Sequence, residues 1–170
     1  MKKILLILIL LGVGFILILY ITLKPNTRNI ATDTPFKEII GKELVLNKAV
    51  YIILQEKGAY SFEPYAIFDS NYNNSQIIQH ATEKPQLLQG SKLHITGAKM
   101  YQSMRGGFYR PYILGTTKHP VTQKKISFEY QWGEASIDKL LNNVDDCWKF
   151  PLAPWETTAH EGWFVLPKMK

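Results

Sequence analysis

The sequence predicts a mainly β fold: an N-terminal transmembrane helix followed by a small OB-like or SH3-like β-barrel with one late α-helix. Three observations carry this expectation. An uncharged apolar run extends from Ile4 to Leu23, short alternating runs broken by turn residues follow from Glu43, and the period changes to a helical one after Ser136.

The apolar run comes first. At the helical rise it is roughly 30 Å long, which matches the hydrocarbon core of a bilayer. A helix packed inside a soluble domain seldom stays apolar on every face for so long. A cleavable signal peptide would have an apolar region of about 7–15 residues and a small-residue cleavage site, and "YITLKPNTRNIATD" offers no such site. The run is therefore expected to remain as an anchor in the lipid bilayer. Lys2 and Lys3 precede it while Lys24 and Arg28 follow, so the positive-inside rule narrowly favours a cytoplasmic tail at residues 1–3. The chain beyond would lie in the periplasm, with the protein a single-pass component of the inner membrane.

Residues 24–35, "KPNTRNIATDTP", are polar, have a proline near each end and show no periodicity. They read as a tether reaching at most about 40 Å. Residues 36–170 then suffice for one extracytoplasmic β-rich domain.

Within it, "ELVLNKAVYIIL" places Leu44, Leu46, Val50, Ile52 and Leu54 on one parity, and "QEKG" turns the chain into "AYSFEPYAIF". That is a hairpin, with Pro64 confining its second strand to an edge or a bulge. "FDSNYNNSQ" is loop chemistry, and Ser75 caps an expected helical turn ending before Pro85. "SKLHITGAKMY" and "FYRPYILG" flank Gly106–Gly107, a pair suited to a tight turn. "ISFEYQW" alternates most cleanly, with Ile126, Phe128, Tyr130 and Trp132 expected inside and Ser127, Glu129 and Gln131 outside. Ser136 is a helix cap, with Ile137, Leu140, Leu141 and Val144 at helical spacing. "GWFVLP" is a last strand candidate.

Composition narrows the function classes. Twenty basic residues against fourteen acidic ones give +6, and setting aside Lys2 and Lys3 leaves +4. This mild charge suits an anionic membrane surface or an anionic glycan, and no nucleic acid partner is expected. A single cysteine excludes an intramolecular disulfide and favours a bacterial setting over a disulfide-rich secreted one. Cys147 follows Asp145 and Asp146, whose charges oppose a thiolate, so it reads as structural.

Little else suggests chemistry. There is no nucleophile elbow, phosphate-cradling glycine loop or metal-ligand cluster, and no cofactor is implied. Glu156 and His160 are four apart, with Glu161 adjacent, but the segment's threonines and glycine favour a solvated loop over a helix. Trp148, Trp155 and Trp163 lie close in sequence and are expected to cover one end of the barrel. The hairpin "YQSMRGGFYRPYILG" stands apart because its turn does not need Arg105 or Arg110. Together with Tyr109 and Tyr112 these arginines form a candidate binding tip for an anionic or sugar-like partner.

The expectation is a non-enzymatic interaction module anchored in the inner membrane. Its partner is an envelope protein or a cell-wall component such as an anionic glycan, and its role could be that of an inhibitor or an immunity-type protein. The competing expectation is an anchored hydrolase of envelope polymers that uses Glu156, His160 and Glu161.

Overall fold

The computed structural model describes residues 12–15, 26–55, 61–69, 81, 83–102 and 109–167. Residues 12–15 are helical. The rest of the apolar run, the helical turn expected after Ser75, and Arg105 with Gly106–Gly107 lie outside the described residues. Among the described residues, no helix is long and apolar enough to cross a membrane.

The fold is mainly β. In chain order the strands are β1 (Asn26–Asn29), β2 (Glu43–Val45), β3 (Val50–Leu54), β4 (Tyr65–Asp69), β5 (Gln86–Leu87) and β6 (Lys92–Gln102). After these come β7 (Tyr109–Lys118), β8 (Lys125–Gln131), β9 (Glu134–Ala135) and β10 (Trp148–Lys149). A 3-10 turn covers Phe36–Glu38, and one short α-helix covers Ile137–Leu141.

The main sheet runs β1–β6–β7–β8–β4–β3–β5, with β2 also paired to β6. Its ladders are antiparallel except for β4 and β8, where Tyr65 faces Phe128 and Ala66 faces Glu129 in parallel. This path does not close, so the expected closed barrel is corrected to a curled open sheet. Its ends still approach one another, because β2 leads into β3 just as β5 leads into β6. Where the ladders break, Leu46 N donates to Ser91 O at 2.9 Å and Gly90 N donates to Leu46 O at 2.8 Å. Polar backbone at the break is thereby satisfied without a continuous ladder.

The polar stretch expected to be a free tether is tied to the domain. Asn26–Asn29 pairs antiparallel with β6, from Asn26 opposite Gln102 to Asn29 opposite Lys99. Ile30 and Phe36 are then fully buried.

Alternation places the core. Leu93 and Ile95 point inward from β6, and a bulge between Ile95 and Gly97 resets the parity so that Ala98 and Met100 point inward after it. Ile113 joins from β7, and Phe128 and Tyr130 from β8. Gly115 lies directly against this layer. A Cβ there would meet Phe128 Cζ at 2.6 Å and His94 O at 2.7 Å, so a side chain would collide with ring and backbone together. Trp132, just past β8, sits among Phe36, Phe150 and Trp155, with ring centroids 5.8, 4.9 and 6.0 Å away. Its Nε1–H donates to Pro151 O at 2.7 Å. Cys147 is buried in the same core, as expected of a structural cysteine.

The late helix starts where the cap predicts, with Ser136 Oγ accepting from Lys139 N at 3.4 Å. It is short and has no buried residue. Only Leu140 packs against the core from it, while Ile137 and Leu141 are exposed. The apolar spacing therefore overstates its packing. "GWFVLP" contributes a single bridge, Trp148 to Phe164, rather than a strand. Trp148 and Trp155 are buried, and Trp163 stays at the surface beneath Lys139 Nζ and Lys149 Nζ, 4.2 and 4.5 Å from its ring centroid.

Candidate functional site

The strand pair flanking residues 103–108 is antiparallel, with Gln102 opposite Tyr109 and Tyr101 opposite Arg110. Alternation then divides the candidate residues between two faces. Tyr109 packs against the main core, and its hydroxyl accepts from Gln102 Nε2 at 3.2 Å. Arg110 is exposed on the other, outer face. Tyr112 shares that parity but is 8% exposed, in an outer cluster with Tyr101 and Leu114. Of the four candidates, only Arg110 is thus placed at the surface; Arg105 lies outside the described residues.

What covers Tyr112 is Phe62, from the connection between β3 and β4. Its ring meets Tyr112 at 5.5 Å and Tyr101 at 6.4 Å between centroids, in edge-on geometries favourable to the aromatic quadrupoles. Lys99 Nζ lies 5.3 Å from the centre of the same ring.

Glu129 holds this cover in place. The sequence reading put it on the solvent face of β8, and the structure corrects that: Glu129 is 3% exposed. Its parity is outward, but the Phe62 segment lies over it. Its Oε2 accepts from Phe62 N at 2.6 Å and Glu63 N at 3.1 Å, and Oε1 accepts from Gln55 Nε2 at 2.9 Å. Burial pushes the carboxyl above the ordinary carboxylate range; the hydrogen bonds from Gln55, Phe62 and Glu63 offset this in part, while the nearby Glu63 charge adds to it. Sequence reasoning missed this latch. The expected strand "AYSFEPYAIF" includes Phe62, whereas the strand begins only at Tyr65, after Pro64, which leaves Phe62 free to fold over the outer face.

The Glu156–His160 pair also differs from expectation. The segment is not helical, yet His160 Nε2 and Glu156 Oε1 are 2.6 Å apart, and Glu156 Oε2 accepts from Ala153 N at 2.8 Å. The imidazole lies 5.3 Å from Trp132 and 5.8 Å from Phe164 between centroids. Rather than a solvated loop, this is a half-buried clasp that ties the C-terminal segment to the core. Glu161 is exposed. Among the described residues, no three His, Cys, Asp or Glu side chains gather as a metal-binding set.

Comparison with protein-family models, with curated proteins and with solved structures gives no match.

Proposed function

We propose that the protein is a non-enzymatic binding module, held in the inner membrane by residues 4–23 with its β domain in the periplasm. It engages an envelope protein or an anionic glycan through residues 103–108 and the adjoining exposed Arg110. An inhibitory or immunity-type role belongs to this reading.

The observation that carries it is the strand order. Taking β5–β6, β7 and β8 as a first, second and third strand, and β2–β3 and β4 as a fourth and fifth, supports reading the open sheet as an OB-like arrangement with its chain order permuted. The parallel contact of β4 with β8 then falls between the fifth and third strands. The late helix follows the third strand, as the helix of an OB-fold does. OB-folds bind oligosaccharides and oligonucleotides on their second and third strands, between the loop joining strands one and two and the loop joining four and five. In this chain those loops are residues 103–108 and the Phe62 connection. Arg110 stands beside the first of them, and the mild positive charge outside the anchor suits an anionic partner.

The Glu156–His160 contact keeps hydrolysis as the second reading. Against it, both Glu156 oxygens already serve the local fold, one toward His160 and one toward Ala153 N.

The test of binding is a pull-down from solubilised envelope with the full chain, comparing wild type with an Arg105→Ala, Arg110→Ala double variant. Loss of each charge-assisted contact is expected to weaken binding by roughly 1.5–3 kcal/mol, or about ten-fold or more. An unchanged set of captured partners would remove the hairpin from the binding surface. For topology, an alkaline phosphatase fusion after Lys170 is expected to be active; activity only from a cytoplasmic reporter would overturn the location.

A further inference from the structure

At the end of the β6–β7–β8 meander away from the hairpin, the β5–β6 corner and the β7–β8 turn frame a cleft of about 720 Å³. Lys92, Lys118 and Lys125 line it, together with Glu43, His94 and Gln123. Lys118 and Lys125 are direct partners in the β7–β8 ladder. Lys92 opens β6 beside the end of β7, where the Thr117 hydroxyl donates to Lys92 O at 2.8 Å.

Like charges placed opposite one another destabilise a sheet. No packing demand explains the cluster either, because all three lysines are exposed. Glu43, the carboxylate in the lining, is engaged with Lys92 at 2.7 Å. Lys118 and Lys125 have no carboxylate partner among the described residues. The turn that presents them is well organised: His119 Nδ1 accepts from Val121 N at 3.3 Å and from Thr122 N at 3.2 Å, and His119 N donates to Lys124 O at 2.9 Å.

We propose that this cleft binds a phosphorylated sugar, with Lys118 and Lys125 holding the phosphate. Two lysines paired across one ladder can bring both ammonium groups to a dianionic phosphate, which they match better than a single carboxylate, and lysine acts on phosphate as a point charge. The volume is well beyond that of phosphate alone. Gln86 brings an amide suited to sugar hydroxyls, the Gln123 amide is held toward the cleft's turn by donating to Pro120 O at 2.8 Å, and the exposed Leu88 offers an apolar surface for a sugar face. The site is separate from the hairpin and does not rest on the function proposed for it.

The experiment is calorimetric titration of the full chain in detergent with glucose 6-phosphate, inorganic phosphate and glucose. Glucose 6-phosphate is expected to bind, inorganic phosphate more weakly, and glucose not at all. A Lys118→Gln, Lys125→Gln variant is expected to lose at least about ten-fold in affinity for glucose 6-phosphate. Its Tm should equal or exceed that of wild type, because the repulsion is gone. Glu43→Gln releases Lys92 and is expected to tighten binding several-fold, while Arg105→Ala with Arg110→Ala leaves it unchanged. No binding of glucose 6-phosphate, unchanged affinity in the lysine variant, or a lowered Tm there would overturn the proposal. Equal affinity for inorganic phosphate would overturn the sugar. Binding of phosphatidic acid in mixed micelles without any response to glucose 6-phosphate would assign the lysines to a lipid headgroup, and would also overturn it.

Discussion

The two ends of the outer β6–β7–β8 face are built from the same three strands and are finished in opposite ways. At the hairpin end Phe62 lies over Tyr101, Tyr112 and Leu114, and Glu129 fastens it there. At the other end Lys92, Lys118 and Lys125 stand exposed around an open cleft. The difference follows from side-chain chemistry. Aromatic rings left on an outer face gain by being covered, whereas ammonium groups would lose hydration under the same cover. One end therefore recruits a segment of its own chain and the other stays open to water.

The inner face sets the scale for testing this contrast. Phe128→Ala is expected to cost about 3–5 kcal/mol, read from denaturant unfolding, because the ring is fully buried against Gly115. At the covered end Glu129→Ala comes next, at about 2–3 kcal/mol, since the Phe62 and Glu63 amides lose their acceptor. An effect below half a kcal/mol would mean that Glu129 is solvated and that the cover is not latched. Phe62→Ala is expected to cost about 1–2 kcal/mol and to make Tyr112 accessible to nitration, which distinguishes loss of the cover from general loosening.

A finer probe is pH. Glu129 keeps its proton in the folded state to higher pH than in the unfolded chain. Between the ordinary carboxylate range and its raised value the folded state holds more protons, so this group's contribution to stability falls as pH rises across that window. Glu129→Gln removes the titration. Wild type should therefore lose stability relative to this variant as pH rises out of the ordinary carboxylate range, and a flat difference would contradict the upward shift. The smallest expected effect is that of Arg110→Ala, within about half a kcal/mol, because the side chain is exposed. A larger loss would place Arg110 in the covered cluster instead of at its edge.

Much of the fold was legible in local chemistry. The mainly β class, the β3–β4 and β6–β7 hairpins, the inward set Phe128–Tyr130–Trp132 and the helix start at Ser136 all follow from period and turn residues. The candidate hairpin residues were only partly legible. Parity alone separates Tyr109 from Arg110 and Tyr112, but nothing near Tyr112 in the chain says that Phe62 covers it.

By itself, then, the sequence determined which side of each strand a residue takes, because the pleat is a local property with a period of two. Even that holds only until a bulge intervenes, as it does between Ile95 and Gly97. The tertiary structure alone decided which of those sides meets water. Glu129 looks outward and is buried because Phe62, sixty-seven residues earlier, folds over it. Asn26–Asn29 looks like a tether and is a strand because the edge of β6 had backbone groups to pair. Both outcomes depend on segments distant in sequence, and no local period records them.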